Sequence, residues 1–149
     1  MATLANMVRV GTVSVIDPDR CAVRVVFPDR DDLVSDFLPV VVLPGEYVLP
    51  KVNDRVLCLF LGNGLETGFC LGSFYFNASP PPTTAPEKRG TWYRDGSYID
   101  FDEASGTLAV HAKGKVIIKA ASGLEIAGDV HISGNLTVDG SITGGGVSV

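Results

Sequence analysis

From Leu108 to Gly144, 18 of the 19 even-numbered positions are apolar or glycine, with Ser122 the exception. The larger side chains in this series are Leu108, Val110, Val116, Ile118, Leu124, Ile126, Val130, Ile132, Leu136, Val138 and Ile142. The odd positions are mostly polar or charged and include His111, Lys113, Lys115, Lys119, Glu125, Asp129, His131, Asn135 and Asp139. Successive side chains of a strand point to opposite faces, so this pattern predicts one continuous apolar stripe and one wet face. A straight strand of this length would reach about 120 Å at about 3.3 Å per residue, so the chain has to bend. Bends are expected at the inward-facing glycines Gly114, Gly128, Gly134 and Gly140, where a missing side chain lets the backbone turn and approach a crowded axis.

The last three of those glycines are six residues apart. Hexads of this kind build three-sided β-helices, but one chain needs three hexads per turn, so this tail supplies about two turns. Fewer than three repeats are seldom stable alone, and an isolated tail would also present unpaired edges. Three copies wound about a threefold axis solve both problems, because each face comes from a different chain and the apolar residues meet at the axis. Each of the eleven side chains would then contribute about 1.5–3 kcal/mol on burial, before ordering entropy is subtracted. The expectation is an intertwined trimer with those eleven residues as its core. A long edge strand or hairpin packed on the preceding domain would explain the alternation but not the six-residue glycine step. A hexapeptide-repeat acyltransferase would need more turns.

Upstream the pattern is of short strands. In "VRVGTVSV", Val8, Val10 and Thr12 alternate with Arg9, Gly11 and Val13; "CAVRVVF", "DFLPVVVL", "RVLCLFLG" and "GFCLGSFYF" follow. Turn formers separate them, and Asn63-Gly64 predicts a tight reversal between the last two. The non-alternating run "VLCLFL" predicts a strand covered on both faces. "DDLVSDFL" could make one or two helical turns before Pro39, and no other stretch reads as helix. Five short strands in about 70 residues predict an OB-like barrel. The fold class expected is therefore all-β: an N-terminal OB-like barrel (1–77), a proline-rich linker (78–90), a β-hairpin neck (91–107) and a triple-stranded β-helix needle (108–149). Hairpin turns are expected at Asp95-Gly96 and Ala104-Ser105-Gly106.

Composition narrows the function. The 149 residues are 46% hydrophobic with a net charge of −5, room for one compact domain and an appendage and little support for a phosphate-binding surface. Cys21, Cys58 and Cys70 lack zinc-ligand spacing. Cys58 and Cys70 read as small buried hydrophobes in a protein assembled in a reducing cytoplasm. No signal peptide and no membrane-spanning apolar run are expected.

Candidate chemistry is sparse. "GNGLETG" is a GxGxxxG joining two strands, a weak match to a phosphate loop. Asp17/Asp19 and Asp29/Asp31/Asp32 read as solvated turns, not calcium loops. Asp100 and Asp102 share a strand face without a histidine or nucleophile nearby, and read as a hydrated face. Lys113, Lys115 and Lys119 project together as a solvated or anion-touching face. His111 and His131 form no His-x-His pair. No catalytic site, metal site or cofactor is expected, and the chain is expected not to be an enzyme. OB-fold nucleic-acid binding is the alternative function, weakened because Phe60, Phe69, Phe74, Tyr75 and Phe76 have little Lys or Arg around them in sequence.

"VRVGTVSVIDPDRCAVRVVF", "SDFLPVVV", "PKVNDRVLCLFLGNGLETGFCLGSFYF" and "RDGSYIDFDEASGTLAVHA" together resemble the phage baseplate assembly protein V family, the central spikes of contractile-tailed phages and related injection systems. The resemblance implies a homotrimer on the axis of a virion tail baseplate. Its OB-like domains would meet a baseplate hub protein, and its needle would touch and help puncture the target envelope on sheath contraction. Members of that family often carry an apex His-x-His motif holding iron; "ITGGGVSV" has none. Two expectations follow: either the needle ends blunt, or a separate tip protein docks on Gly144, Gly145, Gly146, Val147, Ser148 and Val149.

Overall fold

The computed structural model describes residues 4–146, and the chain divides into two units, Met1–Lys88 and Arg89–Val149. In the first, a one-turn helix α1 (Leu4–Met7) leads into β1 (Val8–Asp17). β1 reverses into β2 (Ala22–Phe27), pairing Thr12 with Val26 and Asp17 with Ala22, with a bulge between Val13 and Val15. Two short strands, β3 (Leu33–Val34) and β4 (Leu38–Pro39), both pair with β2. On the other edge of β1 lies β5 (Arg55–Phe60), followed by its antiparallel partner β6 (Gly68–Ser73). The sheet order is β3-β2-β1-β5-β6, with β4 beside β2. A parallel bridge from Val40 to Cys70, with Val41 N–H donating to the Cys70 carbonyl at 2.8 Å, brings the two ends of this sheet together.

Period-two alternation explains the interior. Val13 from β1, Val25 and Phe27 from β2, and Val56, Cys58 and Phe60 from β5 point inward and are essentially inaccessible. Phe27 and Phe60 meet edge to face, with centroids 5.5 Å apart at 73°. Gly11 occupies an inward position on β1 where a Cβ would collide with the Val25 side chain and the Val26 carbonyl, so the strand crossing needs glycine there. The inner face of "VLCLFL" is fully covered, while Leu57 and Leu59 on its outer face are half-buried.

Three local expectations change. "DFLPVVVL" makes only β4 and the Val40 bridge, because Pro39 lacks the N–H a longer ladder requires. Leu33–Val34 is strand, not helix: Ser35 pins it, its N–H on the Val25 carbonyl at 2.9 Å and its hydroxyl accepting from Val25 N–H at 3.0 Å. The reversal at Asn63-Gly64 is a wider loop, closed where Leu61 N–H reaches the Thr67 carbonyl at 3.0 Å.

The second sheet is β7 (Lys88–Trp92), β8 (Tyr98–Asp102) and β9 (Thr107–His111), in that order. β7 takes in Lys88, Arg89 and Gly90, at the end of the proline-rich stretch. The turn at Asp95-Gly96 is present, with Tyr93 N–H donating to the Ser97 carbonyl at 2.8 Å and Gly96 at φ +91°. Gly106, at φ +66°, turns β8 into β9, and these strands pair Ile99 with Val110 and Phe101 with Leu108. From residue 112 to 146 the described chain forms no strand pairing at all. Among the described residues the chain is mostly β, with helix confined to single turns at Leu4–Met7 and Pro28–Arg30.

Candidate functional site

The feature most in need of a partner is the C-terminal stretch. Residues 113–146 are exposed throughout. Leu108, Val110, Val116, Ile118, Leu124, Ile126, Val130, Ile132, Leu136, Val138 and Ile142 each leave 44–69% of their surface open to water. Ile117, on the odd-numbered side, is equally exposed and adds an apolar residue to the face expected to be wet. An apolar series this long, on a backbone without a ladder, leaves its side chains open to water and its backbone without strand partners within one chain.

Of the four expected bends, Gly128 (φ +135°) and Gly134 (φ +136°) lie in the left-handed region that only glycine adopts freely. Gly114 and Gly140 also lie at bends of the chain, without a left-handed φ, and Gly123 (φ +105°) adds a turn of its own, its N–H donating to the Ala120 carbonyl at 3.3 Å. Gly144, Gly145 and Gly146 are exposed, with Gly146 at φ +88°; Val147, Ser148 and Val149 lie outside the described residues.

The same inversion recurs on ordered strands. On β1, Arg9 is 3% exposed while its neighbours Val8 and Val10 face outward. On β8, Asp100 is 3% exposed while Ile99 and Phe101 face outward, continuing through their β9 partners Val110 and Leu108. Asp100 is thus buried rather than part of a hydrated face; Asp102 stays at the surface end of the strand, accepting from Ala104 N–H at 2.9 Å.

The remaining candidates do structural work. Asp17 closes its turn on Arg20 Nε at 2.6 Å, and that hydrogen bond holds its carboxyl below the usual range. Asp95 is held low by the Ser97 N–H at 2.8 Å, then by the Ser97 hydroxyl at 3.0 Å, then by the charge of Lys113. Cys58 and Cys70 face each other across β5 and β6; their shared hydrogen bond and burial push the Cys58 thiol up, as suits an unreactive core cysteine. His111 stacks on Tyr98 at 5.1 Å, and His131 meets the Ser133 hydroxyl at 3.1 Å. Twenty residues apart, they do not fit an iron-holding His-x-His apex, and no group of three potential metal ligands is found among the described residues.

Around the aromatic residues, arginine is closer than the sequence suggests. Arg55 lies 5.8 Å from the Phe74 ring and 5.0 Å from Phe76, and Arg9 lies 5.7 Å from Phe60. Strand pairing brings these guanidiniums over the rings from distant positions; Phe60 is fully buried, and Arg55 already lies over faces of Phe74 and Phe76 that a stacked base would use. No helix among the described residues is long and apolar enough to cross a membrane.

The sequence reading missed one cluster, where α1, β1 and the Pro28–Arg30 turn bring Asn6, Arg9 and Arg30 together. Its visible signal was Arg9, a charge placed in phase with the inward residues Gly11 and Val13.

A mostly β chain with a long, unpaired, alternating C-terminal stretch is the class these observations define. No family model matches the chain. It is similar to the spike protein of Escherichia phage P2, 26% identical over 113 residues, which cover 72% of this chain and 51% of that protein. The chain thus spans about half the length of the curated relative it matches. That similarity is distant, and it is to a phage spike.

Proposed function

We propose that the protein is the structural central spike of a contractile-tail baseplate, acting as a homotrimer on the tail axis. The carrying observation is the apolar series Val116–Ile142, exposed and without strand partners in one chain. Three such tails wound together pair every backbone edge and bury the even-numbered side chains at the axis. The similarity to the P2 spike protein supports this reading. In the same reading, the first unit is an OB-like barrel, supported by the Val40–Cys70 bridge between the ends of its sheet. It caps the tube by meeting a hub protein, and the C-terminal Gly144–Val149 segment docks a separate tip protein.

The role is mechanical, not catalytic. Sheath contraction delivers its force through a narrow object, and that object has to resist unfolding more than it has to move. A threefold dry axis without free edges gives slow unfolding, the form of stability such a task needs. Contact with the target envelope is transient and made by the outward polar face.

Labelling tests the placement. Gold-labelled antibodies against the first unit should mark tail particles at the distal end, on the axis, in electron micrographs. Label along the sheath or tube, or no association with particles, would overturn the assignment.

A further inference from the structure

The first unit contains a cavity of about 320 Å³ between the start of β1, the Pro28–Arg30 turn, β3 and the loop after β5. Its walls include Arg9, Arg30, Leu33, Val34, Leu65 and Glu66. Arg9 is 97% removed from solvent, and its Nη2 has no hydrogen-bond partner. A buried guanidinium N–H left unpaired is costly, so its position needs a reason. The rest of the cluster is firmly held. Arg9 Nε donates to the Asn6 carbonyl at 2.9 Å, Arg30 Nη2 donates to Asn6 Oδ1, and Asn6 Nδ2 donates to Asn63 Oδ1 at 3.1 Å. One asparagine thus fixes two arginines and the far loop, and Asp36 N–H pins that loop again through the Leu65 carbonyl at 3.0 Å.

We infer that this cavity is a docking site for an acidic side chain of a partner polypeptide, received by Arg9 and Arg30. Two fixed guanidiniums suit a planar carboxylate, which accepts from both. Glu66 in the wall and the chain's net charge of −5 disfavour a multiply charged phosphate or nucleic acid. A polypeptide suits the rim better than a free small acid does. Leu33 and Val34 are exposed apolar residues beside the cavity, and β3 is the last strand on its side of the sheet. An extended segment can lie along that edge with an apolar residue on Leu33 and an acidic one in the cavity. The inference does not depend on the spike reading, since it uses only the first unit.

The test is a titration of the full-length protein with the capped tripeptide acetyl-Leu-Glu-Val-amide, read from the Nε–Hε resonances of Arg9 and Arg30. Controls are the Gln counterpart of the peptide and inorganic phosphate. The Glu peptide should give saturable shifts at both arginines, and neither control should. Arg30→Gln should weaken binding about tenfold or more, and Glu66→Gln should strengthen it by removing the competing charge. Because Arg9→Gln leaves a buried site to refold, the two peripheral variants carry the comparison. An equal response to the Gln peptide would mean an apolar contact alone, and saturation by phosphate would mean a general anion site. Arginine resonances already shifted and unresponsive would mean that a second copy fills the cavity. Any of these results, or no saturation with the Glu peptide, overturns the inference.

Discussion

At the scale of single residues, faces are decided by what each side chain meets. Phe27 fills the middle of the first unit against Phe60. Phe27→Ala should lower unfolding stability by about 3–5 kcal/mol, measured as a shift in denaturant midpoint at unchanged slope. Asp95 predicts a pH effect of definite sign. Ser97 and Lys113 favour its ionised form in the fold, so its folded pKa lies below the ordinary value of 3.8. The stabilisation is therefore complete above that value and is lost as pH falls through the lower folded pKa. Carboxyl-detected NMR should place the Asp95 midpoint below 3.8, and Ser97→Ala should move it back upward. Gly96 and Gly106 were legible because Asp-Gly and Ser-Gly turns carry their own backbone requirement. Arg9 and Asp100 were not: burial of a charge depends on neighbours that strand pairing brings from far along the chain.

At the scale of elements, the tail is where sequence and structure inform each other most. The alternation is local and plain, and it predicts a stripe; one chain alone leaves that stripe open from Val116 to Ile142. Ile132→Asp places three charges on the proposed axis and should abolish trimers in sedimentation analysis. Asp129→Ala, on the outward face, should leave the mass and melting behaviour unchanged. A native-like trimer from Ile132→Asp would mean that the two faces are assigned the wrong way round. The strands around Pro39 and Asn63 show the opposite limit. "DFLPVVVL" is apolar enough for a full strand, but Pro39 and its two neighbouring elements divide it between β2 and β6. Hydrophobic pattern predicts that a segment is buried, whereas the number of ladder bonds it makes is set by which edges reach it.

For the whole molecule, outward apolar and inward charged residues on β1 and β8, together with the open tail, leave apolar surface that one chain does not cover. The central claim is that three chains together cover it and that the tail drives their assembly. Light scattering of the full chain and of a chain truncated after Gly90 tests it most directly. The account predicts three times 15.7 kDa for the full chain and a monomer for the truncated one. A monomeric full-length chain would contradict it.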